Sequence, residues 1–292
     1  MRTVLRNRRA VSSIVATLML MMITVITLTI TLSFVQNNLT RGEAENNFVF
    51  AKVFMKTVGL QVDDVAWRTG QMDTIQYSSR DGEMFLREGI LNYTVKVRYV
   101  GATVDTFIAN YTLNGLFFSI PISKYSLDNS YFTELLPGDM STLILSRSTD
   151  PVARVFVVQK NPIGPEGDYE SEYIRVGVIP VIRATSYSIT TPTGVGTTTT
   201  TTKYCKLLLA KLQTGLGTPS APQYITLLGT DITARVLSEV ETLTVTVSYP
   251  RSQEWYNSEF FRFPQETQTL NFGTDGAEVE IYVSTVEVGY KN

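Results

Sequence analysis

The sequence predicts an α+β protein: a long N-terminal transmembrane and spine α-helix followed by a mostly antiparallel β-sandwich head. Three observations carry this. Residues 10–40 contain no charged side chain, and their apolar core exceeds the roughly 20 residues that a membrane-crossing helix needs. Apolar residues then recur at alternating intervals of four and three from Ala44 to Val65, the period of one helical face. Beyond Gly70 the apolar period becomes two, and turn sequences cut the chain into short pieces, as in strands joined by hairpins.

Composition fits a packed fold and removes several functions. With 292 residues, 43% of them apolar and 11% aromatic, the chain can bury one large core or two modest ones. Its formal charge is −2, and the dense basic cluster is confined to Arg2, Arg6, Arg8 and Arg9. No basic face is therefore expected to meet nucleic acid. Cys205 is the single cysteine, which excludes an internal disulfide and is read as a small buried apolar residue. Histidine is absent, so Ser-His and Cys-His nucleophile pairs are impossible and the commonest metal ligand is missing. Asp63 with Asp64 and Glu166 with Asp168 are the closest carboxylate pairs, read as solvated surface. No phosphate loop or dinucleotide glycine pattern is present. The expectation is a protein that is not an enzyme, with no cofactor and no metal site.

The elements follow in order. Residues 1–10 form a short basic leader and residues 11–36 a hydrophobic helix. Four arginines precede that helix and no basic residue follows it until Arg41, so the positive-inside rule places Met1 in the cytoplasm and the rest of the chain outside. A secretory signal has an apolar region of roughly 7 to 15 residues and a small-x-small cleavage site after it. Here the run is longer and ends in Phe34, Val35 and Gln36, so removal of the whole segment is not expected.

The small residue lies on the other side, in "RRA" before "VSSIVATLMLMMITVI". This arrangement resembles the amino terminus of archaeal type IV pilin-like proteins, the family with a class III signal peptide and an archaeal pilin N-terminal domain. The resemblance covers roughly the first 35 residues. It implies that a prepilin-type peptidase cuts between Ala10 and Val11, with Arg9 completing the site. That leaves 292 − 10 = 282 residues. It further implies a membrane-held precursor whose N-terminus is cytoplasmic, and a mature chain in a cell-surface filament, as a homopolymer or with other pilin-like subunits joined through the helix. One departure stands out. Bacterial-type pilins carry a glutamate close behind the cut, and the corresponding residue here is Val15, a feature shared with archaeal relatives.

Thr17, Thr24, Thr27 and Thr31 recur along one face of the hydrophobic helix. Two readings stand for them: each hydroxyl bonds back to its own helix, or the stripe is a contact between helices. Residues 37–69 then continue as an amphipathic helix, with Ala44, Phe48, Ala51, Met55, Val58, Val62 and Val65 as its apolar seam. A rod from Val11 to about Trp67 is roughly 85 Å long at 1.5 Å per residue. Gly42 and Gly59 are the places where it is expected to bend or break.

The head spans residues 70–292, with a possible subdivision near 161–172. Strands are expected at residues 74–79, 91–100, 107–112, 116–122, 141–146, 153–159, 173–189, 203–213, 242–249 and 277–288. Turn signals lie at "RDGE", "LNGL", "LPGD" and "GTDG". A threonine-rich tip at residues 190–202 reads as an exposed loop. The aromatic run "RSQEWYNSEFFRF" reads as a short helix covering the open end of the sandwich, or as a contact surface. Asn38, Asn92 and Asn110 head N-x-Thr sequons and are candidate N-glycosylation sites.

Two functional expectations result. The first is a structural subunit of a type IV pilus-like filament, whose large head fits a minor or tip component as well as a major one, with the head mediating adhesion or surface contact. The second is a single-span membrane-anchored module that never polymerises and binds a surface or glycan ligand.

Overall fold

The computed structural model describes residues 2–76, 82–122, 125–127, 131–137, 142–159, 173–192, 199–217, 224–251 and 256–291. The chain divides into two compact units, Met1–Asn46 and Asn47–Asn292. Helix α1 runs Arg2–Ala66. The first unit consists of its amino-terminal part, and the second contains the remainder of the helix and the whole sheet.

Neither Gly42 nor Gly59 breaks α1. Gly in a helix interior costs about 1 kcal/mol relative to Ala, and at Gly59 close packing explains its presence. A Cβ there would lie 2.5 Å from Cγ2 of Val155, so only a residue without a side chain lets the helix backbone approach the sheet this closely. The predicted seam is the buried face: Phe48, Ala51, Met55, Val58, Val62 and Val65 are all buried, with Phe54 and Ala66 beside them. At roughly 1.5–3 kcal/mol for each large apolar side chain, this seam contributes on the order of 10 kcal/mol before entropy.

The strands are β1 (Met72–Gln76), β2 (Glu83–Tyr99), β3 (Thr106–Pro121), β4 (Phe132–Leu136), β5 (Ala153–Gln159), β6 (Tyr173–Pro180), β7 (Arg183–Pro192), β8 (Thr199–Thr214), β9 (Tyr224–Ser248), β10 (Thr267–Asn271) and β11 (Ala277–Lys291). A short helix α2, Ser258–Phe261, lies between β9 and β10. The hydrogen-bonded order is β4-β5-β6-β3-β2-β9-β11-β8-β7, with β1 and β10 also paired to β9. All pairings between these strands are antiparallel except β8 with β11.

The two expected layers are one sheet folded over at β9. Its first half pairs with β1 and β11, and its second half with β2 and β10. Between them Glu239 adopts a left-handed backbone (φ 55°), and the pairing with β11 shifts register at Ala277/Val279. A long strand that bends at such a point can serve both layers of a sandwich. The core between the layers joins Tyr93, Val95 and Val97 of β2 to Leu207 and Leu209 of β8 and Ile281 of β11. A second core lies on the other side of the sheet, where the α1 seam meets Val155, Val157, Val176, Val178, Ile225 and Leu227. Strand β5 faces both cores and is buried throughout, which is why Val155, Phe156, Val157 and Val158 form an unbroken apolar run rather than an alternation.

Several sequence expectations are corrected. "LNGL" is not a turn but the middle of β3. Asn114 is spent on cross-strand bonds: its Oδ1 accepts from the Gly89 amide (2.9 Å) and its Nδ2 donates to the Leu212 carbonyl (2.8 Å). Gly115 leaves room for Ile90 and Phe117, whose atoms would lie 2.4 and 2.9 Å from a Cβ. Residues 173–189 form two strands, because after Pro180 the chain turns at Val181 and Ile182 and crosses between layers. The described part of 141–146 makes an isolated bridge, Leu145 to Arg183, and the amides of Leu143 and Ile144 donate to Oε1 of Gln268. The first half of β9 has no counterpart among the expected strands. A Cβ at Gly229 would lie 2.5 Å from the Val65 carbonyl oxygen, so this glycine marks where the end of α1 crosses the strand. "GTDG" is the expected turn, with Gly273 and Gly276 both at positive φ. The "RDGE" turn lies largely outside the described residues, as does the loop 161–172, whose flanking strands β5 and β6 pair directly.

Two outcomes test this packing. Gly59→Ala gains helix propensity but overpacks against Val155, a cost of about 1–3 kcal/mol. It is expected to lower the denaturant midpoint, whereas Gly42→Ala, with nothing within 4 Å of the added Cβ, is expected to leave it unchanged or raise it. A stabilised Gly59→Ala protein contradicts the close approach. Second, the hydroxyls of Tyr93, Tyr249 and Tyr290 are buried with no hydrogen-bond partner among the described residues. Burial raises all three above the usual phenol value, Tyr249 and Tyr290 to about 12. Their folded values exceed the unfolded value of about 10, so their contribution to stability is complete below about pH 10 and lost as pH rises toward 12. Near-ultraviolet absorbance and circular dichroism should show tyrosine ionisation and unfolding in one coincident alkaline transition.

Candidate functional site

The most distinctive surface is the apolar part of α1. From Val15 to Val35 its large apolar side chains are 45–68% exposed around the whole circumference, and the mean hydropathy of the span reaches 2.3. Among the described residues this is the helix long and apolar enough to cross a membrane. A helix apolar on every side is not stable facing water and requires lipid or protein around it.

The threonines in this span keep their hydroxyls satisfied locally. Thr24, Thr27 and Thr31 donate to the carbonyls of Leu20, Ile23 and Thr27 at 2.7–2.8 Å, and Thr29 does the same to Val25. Such back-bonds remove the cost of a bare hydroxyl in an apolar medium, and they leave small, self-satisfied groups at Thr24, Thr27 and Thr31, on the face that Thr17 also shares. The backbone at Arg9, Ala10 and Val11 belongs to the opening turns of α1.

Sequence reasoning missed a second apolar surface. In the sheet-bearing unit, α1 exposes Val49, Phe50, Val53 and Leu60, at 47%, 43%, 60% and 48%. Val49, Val53 and Leu60 are spaced by four and seven, one helical face. The signal was present as apolar residues off the seam, but it is visible only once the seam is known to be covered by the chain's own sheet.

The acidic pair is structural. Oδ1 of Asp63 accepts from Nε1 of Trp67 (3.1 Å) and the Val152 amide (3.4 Å), and its Oδ2 accepts from Nη1 of Arg183 (3.2 Å). Asp64 pairs with Arg68 and accepts from Gln71. These bonds pin the end of α1 to β7 and to the segment before β5. Glu166 and Asp168 lie outside the described residues. A second pair is deeper: Arg154 of β5 meets Glu134 of β4 at 2.7 Å with both side chains buried, and its guanidinium lies over the ring of Phe263.

The aromatic run closes the core. Asn257 caps α2 by accepting from the amides of Glu259 and Phe260, and Tyr256, Phe260 and Phe261 are fully buried against Phe117 and Phe156. Trp255 lies outside the described residues. The threonine-rich tip is shorter than expected, since β7 reaches Pro192 and β8 begins at Thr199; residues 193–198 lie outside the described set. Cys205 is buried, and burial pushes its thiol above the usual range, so it is a poor nucleophile.

The sequons differ in accessibility. Asn38 is exposed on α1. Asn92-Tyr93-Thr94 and Asn110-Tyr111-Thr112 are antiparallel partners in the β2–β3 ladder, Asn92 opposite Thr112 and Thr94 opposite Asn110. On its other side β2 pairs with β9, where Asn92 meets Ser248. Asn92 is therefore on an interior strand, and its Oδ1 is buried. Asn110 is exposed, and β6 pairs with β3 only from Leu116 onward.

Searches of protein-family models, of curated proteins and of solved structures find no match to this chain.

If the folded head carries an N-linked glycan on either β2–β3 sequon, it is expected on Asn110. Glycopeptide mass spectrometry of the cell-surface protein should find Asn92 unmodified, and Asn110→Gln should remove the head glycan. Glycan on Asn92 alone contradicts the accessibility argument.

Proposed function

We propose that this chain is a subunit of a type IV pilus-like surface filament, with Ala10–Val11 as the leader cut, α1 as the assembly element and the β head facing the medium for surface contact or adhesion. The resemblance at "RRAVSS" and the apolar span motivates the reading. The observation that carries it is the outward stripe of Val49, Phe50, Val53 and Leu60. A lone tether needs apolar surface only where lipid covers it, yet α1 keeps an apolar face on the part that is already packed on its own sheet. Neighbouring helices of sister subunits supply a cover for that face and for the span alike, and packing among equally apolar helices then selects the arrangement.

The alternative, a single-span surface module that never polymerises, uses the same helix and head but leaves the stripe in water. The proposal assigns the arginine cluster to the cytoplasmic side, the prepilin-type peptidase to the leader, and other copies or related subunits to the helix.

Amino-terminal sequencing of the mature surface protein is expected to begin at Val11. Val53→Cys is expected to give disulfide-linked dimers on mild oxidation of intact cells, since the native Cys205 is buried. Phe50→Asp is expected to abolish filaments in electron micrographs while leaving the thermal stability of the head unchanged. An intact Met1 with only monomers at Val53→Cys establishes the tether instead.

A further inference from the structure

We propose that the cleft at one end of β2, β3 and β6 binds a carboxylated sugar, such as a uronate unit of a surface polysaccharide. The register builds the cleft. Glu83 of β2 lies opposite Ser119 of β3, and Ser119 lies opposite Arg175 of β6, so three polar residues stand in one row on one face of the sheet. The adjacent row is aromatic, with Phe85 opposite Phe117 and Phe117 opposite Gly177. Beyond it Arg87 lies opposite Gly115, and at the far end Tyr173 lies opposite Pro121. Glu83, Phe85, Arg87, Ser119, Tyr173 and Arg175 line a cavity of about 370 Å³, within the range of small-ligand sites.

Packing alone does not explain this row. Ser119 is 3% exposed, and its hydroxyl has no hydrogen-bond partner among the described residues, an arrangement that carries a desolvation cost until an oxygen or nitrogen arrives. Arg175 is equally buried; its Nη1 donates to the hydroxyl of Tyr256 at 3.4 Å. The guanidinium carbons of Arg175 and Arg87 each lie 5.9 Å from the centre of the Phe85 ring. Both arginines also engage other groups of the chain, and a guanidinium with five donors can hold an internal partner and a ligand together.

The ligand class follows from the set. Two guanidinium groups favour a carboxylate or another oxyanion. Glu83 opposes a small, fully charged ion and accepts from a hydroxyl. Ser119 and Tyr173 add hydroxyls that both donate and accept, and Phe85 supplies an apolar surface for the C–H side of a ring. A ring bearing one carboxylate and several hydroxyls satisfies all of these. The site stands whether or not α1 assembles into filaments.

Isothermal titration of the full-length protein in detergent with trigalacturonate tests the site, with maltotriose and inorganic sulfate as separate arms. Trigalacturonate is expected to bind, maltotriose at least about tenfold more weakly, and sulfate not measurably. Arg87→Gln is expected to weaken trigalacturonate about tenfold or more. Ser119→Ala is expected to weaken it several-fold while leaving the melting temperature unchanged or higher, because it deletes an unsatisfied buried hydroxyl; a purely structural serine leaves binding untouched. The proposal is overturned if trigalacturonate fails to bind, if maltotriose or sulfate binds as well, or if both variants bind like the parent protein.

Discussion

The architecture of the head depends on the approach of α1 to the sheet at Gly59. The helix backbone comes so near β5 that a methyl group at this position would collide with Val155. Around that point Met55, Val58 and Val62 fill the surface formed by β5, β6 and β9. The same demand for closeness recurs at Gly229, where the end of α1 passes over β9, and the Asp63–Arg183 pair fixes the helix end against β7. The helix thereby covers one side of a sheet whose other side closes on itself. Strand β5 belongs to both cores, with Phe156 and Val158 on one side and Val155 and Val157 on the other.

That arrangement gives α1 two kinds of apolar surface with different fates. The seam is satisfied within the chain. The span from Val15 to Val35 and the stripe at Val49, Phe50, Val53 and Leu60 are not. Hydrophobic burial is non-directional and proportional to area, so these surfaces favour any apolar cover, whether lipid or protein. The back-bonded threonines matter here: a hydroxyl already bonded to its own helix demands no partner from lipid or from protein. The filament reading rests on this transferability rather than on a particular contact.

The head separates its polar chemistry by location. Asp63 with Arg183 and Glu134 with Arg154 hold elements together. The row Glu83–Ser119–Arg175 differs from both, because it stands at the rim of an aromatic floor beside a cavity and includes a buried hydroxyl with no partner among the described residues. Strand register, rather than any local sequence motif, brings those three residues side by side, so they drew no notice in the linear chain.

Local pattern alone determined the long helix, its buried seam, strand β5, the turn between β10 and β11, and the α+β class. These follow from periodicity and turn chemistry, which act over a few residues. Tertiary structure decided what depended on distant neighbours. Gly59 read as a helix breaker and Gly115 as part of a turn, and both proved to be points of close approach, because a missing Cβ serves either purpose until the opposing atoms are known. Likewise β9 became one long strand serving two layers, since the bend at Glu239 is stabilised by partners on both sides. The outward face of α1 acquired meaning only after the sheet had covered the other face.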